Sequence, residues 1–408
     1  MSTDTFGAWR EHAGALAGMR VLDLTRILSG PFASMILADL GADVIKIEDT
    51  RAGDDTRHWG PPFQGDDAAY FHAVNRNKRS LALDLKSDAG QKIALRLADD
   101  ADVVLENFRP GTAERLGLGY PQLSSRNPRL IYGSVSGFGQ TGPLSRRAGY
   151  DAIAQAMSGA MSVTGERDGS PVRFGVAAAD LAAGMWLTIG VLSALHARDS
   201  TGCGQQVDIS LMDGELAWMT YVAQNFFATG DTPRRYGSAH PNIVPYQAFP
   251  TADGEIMVAV GNDTLWQTFS GAVGLDDIGA DPTLATNAGR LASRDTLLPR
   301  IADALTARTS AEWTQILTGV GVPVGPINTV PQALAQPQVA ARDMVVDLPH
   351  TSEGSIRTLG SPVKLSATPP QLRHGAPLHG EHTVEILTSM GLSEHEIQSL
   401  IDQGEVSR

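Results

Sequence analysis

The stretch RVLDLTRILSGPFASMILADLGADVIKIE, residues 20–48, decides the fold. Arg20-Val-Leu-Asp-Leu24 has the short, β-branched, apolar character of a buried strand. Pro31 to Leu40 carries helical periodicity and stops at Gly41, and Asp43-Val-Ile-Lys-Ile-Glu48 is a second strand. Strand, helix and strand within so few residues form a βαβ unit, and such a unit starts a parallel sheet covered by helices. Ligands of these sheets bind beyond the carboxyl ends of the strands, which directs attention to the connection Arg26-Ile-Leu-Ser-Gly-Pro31. Pro31 suits the first turn of the helix, and Gly30 is read as permitting close backbone approach to a ligand.

Working outward, residues 51–79 form a long polar connection, of a length more often functional than filler. The alternation then resumes with a strand over Ser80–Leu85, a helix over Asp88–Leu97, and strands over Asp102–Phe108 and Arg129–Ser136. Gly137-Phe-Gly-Gln-Thr-Gly142 spells GxGxxG directly after a strand. Pro143 and the polar residues behind it prevent it from opening a helix, so it is read as a turn or lid. A long helix over Asp180–Arg198, a strand over Gln206–Ser210 and a helix over Leu211–Phe227 follow. After Gly230 the composition becomes irregular and proline-rich, a hairpin turns at Asp253-Gly254, and helices cover much of 263–319. The fold class is α/β. A Rossmann-like parallel sheet forms a large domain over 1–228, a smaller α+β domain covers 229–320, and 321–408 returns to the large domain with a helix pair over 380–403. The first twenty residues read as a loosely held lead-in.

A net charge of −13, from 32 basic and 45 acidic residues among 408, argues against a nucleic-acid or anionic-membrane partner. No signal-like start and no apolar run approaching a membrane span is read, so the expected location is cytoplasmic. The single Cys203 excludes an intrachain disulfide, and its Thr-Gly-Cys-Gly turn context makes it a loop residue. His58, His72, His196 and His240 stand apart, so no metal is expected. Neither a P-loop nor a GxSxG elbow occurs.

One acid stands out within Gly149–Gly184. Asp180 follows the small apolar run Val176–Ala179 and precedes the long helix, a place where the helix dipole favours a carboxylate. A lone aspartate there is also an ordinary helix N-cap. Arg76, Lys78, Arg79, Lys86, Arg109 and Arg115 lie at or after strand ends, where several together would suit phosphates.

The motifs then form a pattern. Val21-Leu-Asp-Leu, Ser29-Gly-Pro31, Leu37–Glu48, Asn77-Lys-Arg-Ser80, Val104-Leu-Glu-Asn-Phe-Arg-Pro-Gly111, Ser136–Pro143, Gly149-Tyr-Asp151, Asp180 with Gly184, and Thr201-Gly-Cys-Gly-Gln205 resemble, in order, the class III coenzyme A transferases, which include formyl-CoA and carnitine CoA transferases. The resemblance implies that Asp180 is the nucleophile. It also implies coenzyme A contacts from Ile27, Leu28, Ser29, Leu83, Lys86, Asn107, Phe108 and Arg115, and a Tyr150 that borders the reacting carboxylate. Asp49 stands where formyl-CoA transferase has a coenzyme-binding arginine, and the glycine-run loop of that enzyme is not visible near Gly261-Asn-Asp263. The resemblance further implies an interlocked homodimer, with no permanently bound cofactor and a coenzyme A thioester as substrate.

The chemistry suits these residue types. A carboxylate nucleophile moves CoA between acids through a mixed anhydride and an aspartyl-CoA thioester, conserving the thioester. Arg57, His58 and Arg234 are read as groups for the acceptor's second carboxylate, which makes the expected pair an acyl-CoA donor such as succinyl-CoA and another diacid. One rival reading is an α-methylacyl-CoA racemase, which needs a histidine where Tyr150 stands. The other is a catalytically silent CoA-binding protein.

Overall fold

A computed structural model describes residues 14–408; residues 1–13 of the expected lead-in lie outside the described residues. The central element is a seven-stranded sheet. Six of its strands run parallel: β1 (Arg20–Asp23), β2 (Asp43–Glu48), β3 (Lys78–Leu83), β4 (Val103–Glu106), β5 (Ile131–Ser136) and β6 (Gln206–Ser210). Their spatial order is 3-2-1-4-5-6, and Val406–Ser407 pairs antiparallel on the outer edge of β3. In this doubly wound order the chain reverses direction between β1 and β4, so a crevice opens above their carboxyl ends.

Alternation along the strands feeds two cores. Val21, Val44, Val103, Leu105 and Ile131 face helices α1 (Ser29–Asp39) and α3 (Ala178–Thr201). Leu22, Ile45, Leu81, Val104 and Tyr132 face α2 (Asp88–Asp100) and the helices Thr383–Ser389 and Glu394–Asp402. α2 starts where expected because the Ser87 hydroxyl caps Gly90 N–H at 2.9 Å. β3 starts earlier than its apolar pattern, because Lys78 and Arg79 enter the sheet buried, paired with Asp23 at 3.2 Å and Asp43 at 2.7 Å. Contrary to expectation, α3, at 24 residues, is long and apolar enough to cross a membrane. Its Ala179, Ala183, Leu187 and Val191 stripe instead lies on the sheet.

The helix expected over 211–227 is broken: Leu211–Leu216, a 3-10 turn at Ala217–Met219, and Thr220–Thr229, with Thr220 at φ +29°. The 51–79 connection is structured, with a 3-10 turn at Asp55–His58, a strand pair Phe63–Gln64/Asp67–Ala68 and helix Ala69–Val74.

The described residues divide into two compact units, 14–160 with 173–223 and 337–408, and 161–172 with 224–336. The second unit is built on the hairpin Tyr246–Pro250/Glu255–Ala259, turning as expected at Asp253-Gly254. Val324–Pro326 adds a third strand, which carries this unit past residue 320. The same unit takes in 161–172 because Arg235 donates to the Gly169 carbonyl at 2.6 Å and Gly237 N–H to the Gly165 carbonyl at 3.0 Å. In the first unit, the returning segment holds a regular hairpin, Val345–His350/Gly354–Leu359.

Candidate active site

A cavity of about 410 Å3 lies above the carboxyl ends of β1, β4 and β5, at the switch point. The β1–α1 connection contributes Arg26, Ile27 and Ser29, the turn after β4 contributes Asn107 to Pro110 and Thr112, and α3 contributes Asp180. The GxGxxG segment opens no helix. Gly137 returns against Gly149, where a side-chain carbon on Gly137 would lie 2.7 Å from the Gly149 Cα, and this contact delivers Arg147 to Tyr150 to the cavity wall.

Asp180 is the third residue of α3 and not its cap; Ala177 occupies the cap position without a side-chain hydrogen bond. The free N–H of Ala179 is taken by Asp151, at 2.9 Å. Gln155 in turn donates to the other Asp151 oxygen at 2.8 Å and accepts from Phe174 N–H at 2.7 Å, tying the lead-in of α3 to helix Asp151–Met157. The Asp180 carboxyl is pushed up to about 7 by its burial and by the Asp151 charge, against the Ser29 hydroxyl that donates to it. A helix start favours the anion by only about 0.3–1 kcal/mol, less than one pKa unit, so burial prevails. Tyr70 stands nearby. Burial and the charges of Asp180, Asp151 and Asp54 hold its phenol at about 12, so it remains a neutral hydrogen-bond donor.

The structure gathers Ile27, Ser29, Asn107, Phe108, Tyr150 and Asp180 around one cavity. Arg115 lines an adjoining cavity of about 730 Å3 that shares Arg109, Pro110 and Thr112 with the first. Leu28 is buried beneath the site with Met35 and Val74. Leu83 belongs to the core, and Lys86 is exposed just beyond β3. The small size of Gly30 serves the protein itself, since a side chain there would strike that of Thr25.

Of the expected acceptor groups, Arg57 and His58 do not line the cavity. Arg57 is buried, and its guanidinium is spent on Glu48 at 2.7 and 2.8 Å, Asp67 at 2.7 Å and the Pro377 carbonyl at 3.2 Å. His58 is exposed, bonded to the Ala52 carbonyl at 2.9 Å. Arg234 lies in the second unit, against Tyr236. The connection starting at Arg26 was singled out from the sequence, but Arg147 was not assigned to the cavity, nor Tyr70 and Asp151 to the surroundings of Asp180. For Arg147 a signal existed, a pair of arginines just before Gly149-Tyr150-Asp151.

The model of CoA-transferase family III matches residues 16–383. The human succinyl-CoA:glutarate CoA-transferase is 40% identical, over 96% of this chain and 90% of its own length. The succinate–glutarate CoA-transferase of Agrobacterium fabrum is 43% identical, over 92% and 95%. Among solved structures, a CAIB/BAIF family protein from Brucella suis superposes with a TM-score of 0.83 at 41% identity, covering 93% of this chain and all of that one, and it shares the mixed α/β architecture with a large, mostly parallel sheet. With its motifs in order and its length matched almost throughout, the chain belongs to CoA-transferase family III and is an enzyme of that class.

Proposed function

We propose that the enzyme moves coenzyme A from a dicarboxylic acyl-CoA such as succinyl-CoA to a second dicarboxylic acid, with Asp180 as nucleophile. The observation that carries this reading is the half-buried Asp180 carboxyl opening onto the switch-point cavity, beside a hydroxyl donor and among three cavity arginines, Arg26, Arg109 and Arg147. An Asp180 oxygen attacks the donor's thioester carbon. The C–S bond breaks, leaving a mixed anhydride and a CoA thiolate. The thiolate then attacks the Asp180 carbonyl, releasing the donor's free acid and leaving an aspartyl-CoA thioester. The acceptor carboxylate runs the two steps in reverse. In this reading the Ser29 hydroxyl, which already donates to Asp180, is the donor to the oxyanions formed on the way, with Tyr70 nearby as a second neutral donor. Arg109 and Arg115, reaching into the adjoining cavity, suit the phosphates of the coenzyme. The names of the two relatives support the diacid pair, and the cavity arginines suit a distal carboxylate. Among the described residues lining the cavity none is a histidine, which disfavours the racemase reading.

The working form in this proposal is an interlocked homodimer. Its support is the return of 337–408 to the first unit and the large apolar side chains that unit exposes, Trp186, Ile189, Leu216, Trp218 and Tyr221.

The test of the nucleophile needs only a donor. Incubation with succinyl-CoA followed by hydroxylamine should convert Asp180 to a hydroxamate seen in the peptide mass, and borohydride should reduce an aspartyl-CoA thioester at the same residue. Asp180→Asn should keep the fold and CoA binding while turnover falls by several orders of magnitude. Labelling of Cys203 instead, or turnover that survives Asp180→Asn, would overturn the carboxylate mechanism.

A further inference from the structure

The turn that carries Ile27 to the cavity is bonded to side chains at each backbone polar group from Thr25 N to Ile27 N. Thr25 N–H donates to Asp23 at 2.9 Å, and its carbonyl accepts from Lys46 Nζ at 2.6 Å. The Asn107 amide accepts from Arg26 N–H at 2.8 Å and donates to the Arg26 carbonyl at 2.6 Å. Ile27 N–H points at both Asp54 oxygens, at 3.2 and 3.3 Å. These partners come from β1, β2, the turn after β4 and the 51–58 connection. They hold Ile27 at φ +72°, in the left-handed region that a β-branched residue avoids. Strain of this kind costs on the order of 1–3 kcal/mol and persists only where the surroundings over-determine it.

Lys46 and Asp54 form a 2.9 Å ion pair in which neither side chain is exposed. A pair so deeply buried is a poor source of stability compared with apolar packing, because both ions lose their hydration. Neither residue lines the cavity.

We propose that Lys46 and Asp54 are positioning residues for CoA transfer: together they hold the strained Ile27 turn so that Ser29, at the start of α1, presents its hydroxyl to Asp180 while Ile27 faces the coenzyme. Lys46 fixes the chain before the turn through the Thr25 carbonyl, and Asp54 fixes the turn itself. Freed from them, Ile27 returns to negative φ, and the path from Arg26 to Ser29 changes. The inference rests on the reading of Asp180 as the reacting group.

The test compares Asp54→Ala, Asp54→Asn and Asp54→Ala/Ile27→Gly for kcat, for KM with succinyl-CoA and for hydroxamate yield at Asp180. Asp54→Ala should lower kcat/KM by roughly ten- to a hundredfold, the kinetic equivalent of the strain it releases. Asp54→Asn retains an acceptor for Ile27 N–H and should lose less. Adding Ile27→Gly should recover several-fold of the loss without raising Tm, because glycine takes positive φ without penalty. Should Asp54→Ala not fold, Lys46→Met/Asp54→Leu removes both charges together, so that no unpaired ion is left buried, and is expected to fold while losing the same activity. Unchanged kcat/KM in a folded variant, or a loss that tracks Tm and that Ile27→Gly does not relieve, overturns the proposal. Asp180→Asn, assayed in parallel, separates the two readings: if it stays active the site assignment fails, and if it is dead while the Asp54 variants are unaffected only the positioning role fails.

Discussion

As the proposed nucleophile, Asp180 could attack only after losing its proton, and burial together with Asp151 pushes its carboxyl up to about 7. The rate of aspartyl labelling by acyl-CoA should therefore fall on the acid side of neutrality and level off above it, which a pH series of single-turnover labelling would measure. The same shift acts on stability. Because the folded-state pKa lies above the unfolded value, the stabilisation linked to this group is complete below about pH 4 and is lost as pH rises through about 7. Asp180→Asn should consequently melt higher than the parent at pH 8, by roughly a few degrees, with the gap closing toward pH 4. Melts that show no gap at pH 8 would contradict the buried-acid account. At this scale the sequence singled out Asp180, ordinary as a helix-start acid, only through the motifs around it. It concealed the neighbours. Asp151, the acid that raises Asp180 and takes the helix N–H, lies 28 residues before Ala179. Arg57 was misread because Glu48 and Asp67, its partners, reach it only through the folding of the 51–79 connection.

The two helices that border the cavity pack along each other, and one small residue sets their spacing beside it. Gly184, one turn beyond Asp180 on the same face of α3, lies so close to α1 that a side-chain carbon there would be 2.6 Å from the Ser29 carbonyl oxygen. Gly184→Ala should push α3 off α1, separating Ser29 from Asp180. A destabilisation of about 1–3 kcal/mol is expected by analogy with overpacked cores. Turnover should fall at least about tenfold while CoA is still bound, because a small misplacement of reacting groups is costly. Calorimetric CoA binding beside steady-state kinetics checks the split, and full activity in the alanine variant would mean that the helices can part without harm. Elements of this kind were legible where apolar periodicity was clean, as in α1, β2 and β6. They were obscured where charges are buried, as at Lys78 and Arg79, or where one backbone angle interrupts a good pattern, as at Thr220.

At the scale of the molecule, an interlocked dimer should neither dissociate on dilution nor exchange subunits without unfolding. Light scattering across a dilution series and mixing of differently tagged preparations test this, and a folded, active monomer at micromolar concentration would exclude it. The second unit resumes at residue 224, near the change of composition after Gly230. The capture of 161–172 by the second unit was not foreseeable, because backbone contacts such as Gly237 to Gly165 carry no side-chain signature. One pairing also governs how this chain can be made in a cell. β3 is sealed on its outer edge by Val406–Ser407, so a ribosome that has already delivered the rest of the parallel sheet leaves that edge open until those residues emerge. During synthesis the open edge offers a template to neighbouring nascent chains, and chaperone occupancy should be prolonged accordingly. Removing Glu405–Arg408 should leave the finished chain in that vulnerable condition, visible as lost soluble yield and not as a change in kcat of the fraction that survives.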